Sequence, residues 1–221
     1  MTQAKGTKLK ASDLPEIYRE LHSAFGHQDW WPGETPFEVM VGAILTQNTA
    51  WTNVELAIVN LKKAKVLTPR KMRLLSHKRL ARLIRPAGYF NVKARRLRAF
   101  VDFLFAEYGG NLRRMFREDP QRLRVKLLAV NGIGPETADS ILLYAGAMPS
   151  FVIDAYTKRI FSRHGLHAPE ADYATWKALF EKALPKDTAL YNDFHAQIVH
   201  LGKHHCKTRP VCQGCPLEKY L

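Results

Sequence analysis

Apolar residues recur at i, i+3 and i+4 along most of the chain. Residues 37–45 (FEVMVGAIL), 97–108, 123–130, 136–147 and 173–184 all carry this spacing, which lines apolar side chains along one helical face. Over 97–108 the stripe is Leu97, Phe100, Val101, Leu104, Phe105 and Tyr108. A further helix is expected over 155–164. No stretch of four or more residues alternates apolar and polar between hairpin turns, so no sheet is expected. The breaks at 31–36, 86–88, 109–110, 131–135 and 184–186 are short and hold proline or glycine. There is no internal repeat and no low-complexity tract. The pattern predicts an all-α protein whose 221 residues suit two helical lobes sharing one cleft.

Composition adds little to that picture, and charge adds more. Hydrophobic residues at 46% and charged residues at 24% exclude a disordered chain. No apolar run approaches the roughly 18 residues of a membrane span, and the start MTQAKGTKLK has no apolar leader. No membrane partner and a cytoplasmic location are therefore expected. The net charge of +14 calls for an anionic partner. It is concentrated: residues 61–98 hold fourteen Lys and Arg and no acid. A solvated face normally mixes signs, because like charges one helical turn apart repel. The block predicts a surface for a polyanion backbone, giving salt-sensitive and sequence-blind affinity.

Two segments carry chemistry. In LLAVNGIGPETADSILLYA (127–145) an apolar helix runs into Asn131-Gly132-Ile133-Gly134-Pro135, and a second helix follows. Gly132 and Gly134 allow close backbone approach, and Pro135 suits a first helical position. Such a turn presents N–H groups to a phosphate oxygen, with Ile133 placed to plug between the helices. Twenty residues after Gly134, Asp154 follows three apolar residues. It either caps the helix over 155–164 or faces a cleft as a carboxylate of controlled pKa, and the two are compatible.

The hairpin, the spacing to Asp154 and the three C-terminal cysteines together resemble the helix-hairpin-helix (HhH-GPD) DNA glycosylase superfamily of the endonuclease III type, from about Trp30 to Cys215. The resemblance implies a six-helix barrel lobe over 30–147, containing the hairpin at 123–147. It implies a second helical lobe built from 1–29 and 148–221, with a DNA-binding cleft between the two. Leu45-Thr46-Gln47-Asn48-Thr49 resembles the turn whose glutamine fills the gap left by a flipped base. Gly88-Tyr89-Phe90-Asn91-Val92-Lys93-Ala94 resembles the loop that wedges an apolar side chain into the base stack. Gln47, Tyr89, Phe90, Asn91, Lys93, Gly132, Ile133 and Gly134 are thus the expected DNA-contacting residues. Asp154 matches the superfamily's catalytic aspartate.

Two departures matter. Members that also cleave the backbone carry a lysine two residues after the hairpin's Gly-x-Gly, and Glu136 stands there. A carboxylate cannot form an imine with the sugar aldehyde, so a monofunctional enzyme with weak or absent lyase activity is implied. Glu136 joins Asp154 as a catalytic candidate, although it could equally serve only to shape the cleft. Among branches the chain looks most like the 3-methyladenine DNA glycosylases: Trp30-Trp31-Pro32 followed by Phe37-Glu38, the 42–49 segment, and Arg85-Pro86 before the wedge loop. Trp30, Trp31 and Trp51 fall where aromatics would grip an extruded base. An alkylated purine is cationic, and aromatic faces attract it.

The superfamily often holds a [4Fe-4S] cluster on C-x6-C-x2-C-x5-C. Here Cys206, Cys212 and Cys215 are followed by Leu221 where the fourth cysteine would fall. Three readings stand: a cluster with a non-cysteine or external fourth ligand, zinc on the three cysteines plus His204 or His205, or free thiols. The overall expectation is a monomeric base-excision glycosylase acting on damaged double-stranded DNA at the nucleoid, with an alkylated purine as substrate. The rival readings are a glycosylase for oxidised pyrimidines or mismatched bases, and a non-catalytic damage-binding protein.

Overall fold

A computed structural model describes residues 8–221. Among them the helices are α1 (Leu14–Phe25), α2 (Pro36–Leu45), α3 (Trp51–Lys63), α4 (Pro69–Arg73), α5 (His77–Leu83), α6 (Phe90–Tyr108), α7 (Leu112–Met115), α8 (Pro120–Leu128), α9 (Pro135–Ser140), α10 (Ala155–Arg163), α11 (Tyr173–Ala183) and α12 (Thr188–His204). No strand occurs among the described residues, and none of the helices is long and apolar enough to cross a membrane. The chain divides into two compact units, one of Trp31–Met148 and the other joining the chain up to Trp30 with Pro149–Leu221.

The unit over 31–148 is built around α2. Thr35 caps this helix by accepting from Glu38 N at 3.2 Å, and Pro36 opens it. Every residue from Phe37 to Leu45 is buried, as expected of a helix apolar on all sides. Val54 and Leu61 of α3, Leu97, Phe100 and Leu104 of α6, and Leu123 and Leu127 of α8 belong to the same core. Each such side chain contributes about 1.5–3 kcal/mol on burial.

Two helices differ from the sequence expectation. α6 begins at Phe90, seven residues before the expected start at 97, so its buried stripe begins with Lys93 and Ala94. The segment expected as one helix over 136–147 is α9 followed by a wide π turn over Ile141–Ala145. In that turn Gly146 N–H donates five residues back to Ile141 O at 3.0 Å.

In the other unit α12 is central, with α1 and α10 packed along it. Phe151, Phe161, Trp176, Phe180, Tyr191 and Phe194 form the core, and the Phe151 and Phe180 rings stack at 4.6 Å. The periodicity that marked other helices is broken in α12 by Asp193, His195 and Gln197, all three buried. Asp193 explains how a carboxylate can sit there. It accepts from Tyr18 Oη at 3.1 Å and Gln28 N at 3.3 Å, and it lies 2.9 Å from Nδ1 of both His22 and His27. Burial alone would raise its pKa, but these partners hold it below the ordinary value. The two ends of the chain are thereby joined within one unit.

Candidate active site and DNA interface

The hairpin forms as the motif predicts. α8 and α9 flank the 129–134 turn, where Gly132 adopts φ +88°. A Cβ there would meet Arg96 Cγ at 2.2 Å, so only glycine fits under that side chain. Ile133 is 5% exposed and its N–H donates to Val130 O at 3.0 Å. Its expected DNA contact is therefore corrected: Ile133 plugs the hairpin, because both its side chain and its N–H are used inside. Gly134 and Glu136 are exposed at the start of α9. A pair absent from the sequence reading braces the two helices. Asp139, fully buried, receives Arg124 Nε at 2.8 Å and Nη2 at 3.0 Å.

Gln47 lies against this hairpin. Its Nε2 donates to Gly132 O and to Thr137 Oγ1, each at 3.0 Å, and Arg96 donates to its Oε1. Tyr89 is 73% exposed and holds a left-handed φ of +43°, which is unusual for a bulky residue. The neighbouring Lys93 requires a second correction. It is 1% exposed, and its Nζ donates to Leu45 O at 2.8 Å and Ala87 O at 2.7 Å. Lys93 therefore faces the core and not a phosphate. The basic block as a whole is less free than its composition implied. Arg98 donates to the carbonyls of Arg73 and Leu75, Lys62 pairs with Glu34 and Glu38, and Arg96 and Lys93 are taken up as above. The remaining ten cations are exposed. Lys78, Arg79, Arg82 and Arg85 line a cavity of about 390 Å³ with Phe90 and Asn91.

Of the three tryptophans, two come together. Trp31 and Trp51 meet edge to face at 5.2 Å, and Tyr144, carried by the π turn, packs on Trp31 at 5.1 Å. Trp31 and Trp51 wall a cavity of about 290 Å³, whose lining includes Pro32, Gly42, Lys62 and the carboxylates of Glu38 and Glu55. Trp51 Nε1 donates to Glu55 Oε1 at 2.7 Å. Trp30 belongs to the other unit, where Lys203 Nζ lies 5.7 Å from its ring centre.

Asp154 caps α10. Its Oδ1 accepts from Thr157 N at 2.7 Å and Thr157 Oγ1 at 2.9 Å, while Oδ2 lies 3.7 Å from His195 Nε2. His195 was not a sequence candidate. It is buried, and burial lowers its pKa although Asp154 acts the other way, so the ring is neutral at physiological pH.

This sequence matches the family of HhH-GPD superfamily base excision DNA repair proteins over residues 41–186. The chain belongs to that superfamily. A Methanocaldococcus jannaschii protein assigned as a DNA repair glycosylase, MJ1434, is 49% identical over 207 residues, covering 93% of this chain and 94% of its own. The Thermotoga maritima endonuclease III is 28% identical, covering 94% and 91%. Among solved structures, the H. pylori 3-methyladenine DNA glycosylase MagIII bound to 1,N6-ethenoadenine has a TM-score of 0.77 at 28% identity, covering 88% of this chain and 98% of that one. An endonuclease III–DNA complex has a TM-score of 0.81 at 22% identity, covering 95% and 94%, and so shares the fold. This superfamily member is a DNA glycosylase of base excision repair, and DNA is its partner.

The cluster implied by endonuclease III relatives does not fit the cysteine segment. Cys206, Cys212 and Cys215 line one cavity of about 20 Å³ together with His164, His205 and Leu217. Three thiols leave a four-cysteine cluster one ligand short. Among the described residues no three His, Cys, Asp or Glu side chains form a metal-holding group. Arg163 instead places Nη1 3.3 Å from Cys206 Sγ and bonds the carbonyls of Lys207 and Thr208, so the segment is held by protein contacts.

Proposed function

We propose that this glycosylase is monofunctional and removes a cationic N-alkylated purine such as 3-methyladenine. The cavity walled by Trp31 and Trp51 carries the reading. It is lined by two indole rings and the Glu55 carboxylate, with Lys62 paired to Glu38 and Glu34, which leaves a negative lining. A cation on an indole gains about 0.5–2 kcal/mol, and more when desolvated. The bond from Trp51 Nε1 to Glu55 makes that ring more electron-rich. A neutral base gains none of this, so the cavity discriminates by charge. The similarity to a solved 3-methyladenine DNA glycosylase is in keeping with the reading.

In this scheme Gln47 and Tyr89 enter the duplex as the damaged nucleotide leaves it, and Gly134, exposed at the start of α9, meets a backbone phosphate. Asp154 Oδ1 is committed to the α10 cap, which leaves Oδ2 to steady the positive charge growing on the sugar and to orient water. The C1′–N bond breaks with its electron pair leaving on the base, which departs neutral. The water oxygen bonds to C1′, and its proton passes to the carboxylate and then to solvent. Glu136 in place of a lysine leaves no amine at that position to form an imine, so an abasic site remains.

Chromatography of bases released from methylated duplex DNA tests the proposal. Free 3-methyladenine is expected, with no release from duplexes carrying oxidised pyrimidines or mismatches, and no adduct on borohydride treatment. Release of an oxidised pyrimidine or mismatched thymine instead would transfer the chain to the endonuclease III-like reading. A trapped adduct would overturn monofunctionality. Binding to abasic DNA with no base released from any duplex would make it a damage-binding protein.

A further inference from the structure

We propose that Lys93 is a positioning residue for both segments that enter DNA: its buried amine ties the start of the 46–49 turn to the start of the 88–90 loop, holding Gln47 and Tyr89 in one register. This rests on the reading that Gln47 and Tyr89 enter the duplex.

The two carbonyls sit at the ends of their elements. Leu45 is the last residue of α2, and Ala87 is the last of the short turn Arg85–Ala87. Carbonyls at such ends lack a partner within their own helix. One residue after Leu45 comes Thr46, and one after Ala87 comes Gly88, so each carbonyl marks the point where a DNA-entering segment departs. Lys93 Nζ reaches both, at 2.8 and 2.7 Å. Two separate polar caps could satisfy the two carbonyls independently. Burying one lysine between them links their positions, and it does so without a carboxylate, since both partners are backbone oxygens.

Lys93 also brackets the strained residue. Its N–H donates to Tyr89 O at 2.9 Å, while its side chain holds Ala87 O, two residues before Tyr89. A left-handed tyrosine with 73% exposure is held by its backbone and hardly by its own packing. One turn further along α6, Arg96 donates to Gln47 Oε1, and Gln47 donates to the hairpin at Gly132. The first two turns of α6 therefore set the wedge loop, the glutamine turn and the hairpin together. Burial pulls the Lys93 ammonium down to about 8, with Arg96 adding to the effect. A neutral amine still has two N–H groups, enough for two carbonyls.

The test uses a duplex with a tetrahydrofuran abasic-site analogue and 2-aminopurine opposite it, whose fluorescence rises when the base is unstacked. This readout needs no knowledge of the excised base. Lys93→Met is expected to keep helical circular dichroism and to bind undamaged duplex as wild type does. Its fluorescence signal should fall to near that of the Gln47→Ala/Tyr89→Ala variant. Adding Lys93→Met to a Gln47→Ala/Tyr89→Ala variant should cause no further loss. In Lys93→Ala, ethylamine should restore the signal saturably while ethanol should not, which separates an amine requirement from cavity filling. A wild-type signal in Lys93→Met, or equal rescue by ethanol, would overturn the proposal. If Lys93→Met does not fold, the amine rescue of Lys93→Ala decides, and its failure counts against the proposal. Were Gln47→Ala and Tyr89→Ala each to leave the signal unchanged, the reading of DNA entry would fail and the proposal with it. If they lower it and the Lys93 variants do not, the positioning role alone fails.

Discussion

Asp154 has its two carboxylate oxygens in different surroundings, and this separates charge from capping. Oδ1 accepts both Thr157 bonds, which an asparagine carbonyl can also do. Asp154→Asn is therefore expected to fold with near wild-type stability while base release falls by at least about 100-fold. Asp154→Ala should lose the same activity and, in addition, about 1 kcal/mol of stability in urea. Equal stability of the two variants would show that the cap is immaterial. Lys93 gives a prediction in pH. In the unfolded chain it titrates near the ordinary 10.5, and in the fold near 8, so between these values the unfolded chain binds more protons. Stability contributed at this position rises with pH from about 8 to about 10.5, by up to about 3 kcal/mol. Urea titrations of wild type against Lys93→Met at pH 7 and pH 10 isolate it, because the tyrosines whose pKa values are raised to about 12 are common to both. A charge count groups Lys93 with the basic block because it ignores facing. The spacing did hold the signal: 93, 97, 100, 101, 104 and 108 lie on one stripe of α6, all buried.

At the scale of the elements, the hairpin was legible because its turn is local. Glycines, a proline and two apolar flanks specify it without reference to the rest of the chain. The Arg124–Asp139 pair that braces it was not legible, since a carboxylate becomes buriable only once the other helix supplies a guanidinium. Removing one partner strands a buried charge. Arg124→Met is expected to cost about 3–5 kcal/mol, and the double change Arg124→Met/Asp139→Leu less than that single one. A double change as costly as Arg124→Met alone would mean that the pair is not acting as a unit. The π turn after α9 was equally hidden. Its sequence ILLYA fits an α-helix, and the wider turn that carries Tyr144 to Trp31 shows only in the packed unit.

For the molecule as a whole, the +14 charge becomes a surface only in part. Four of the fourteen cations in 61–98 are engaged inside the fold, and the exposed ones include the four around the cavity beside Phe90. Each phosphate contact contributes about 0.9 to the slope of log affinity against log salt. Neutralising Lys78, Arg79 and Arg82 together is expected to lower that slope by about 2–3, equally on damaged and undamaged duplexes. A loss confined to damaged DNA would give these residues a part in recognition instead. Lys93→Met should leave the slope unchanged, since its ammonium faces inward.

The all-α class, the hairpin and the superfamily are legible in the sequence alone, because each depends on periodicity or on a short run whose conformation is set by its own residues. Tertiary structure decided which of those residues are free to act. It turned Lys93 and Ile133 inward, brought Trp31, Trp51 and Glu55 around one cavity, and set His195 beside Asp154. It also set the three cysteines around one shared space with no fourth cysteine beside them. The physical reason is common to all four. Burial and partnership are properties of pairs of segments far apart in the chain, and no local pattern of polar and apolar residues records what the other segment will bring.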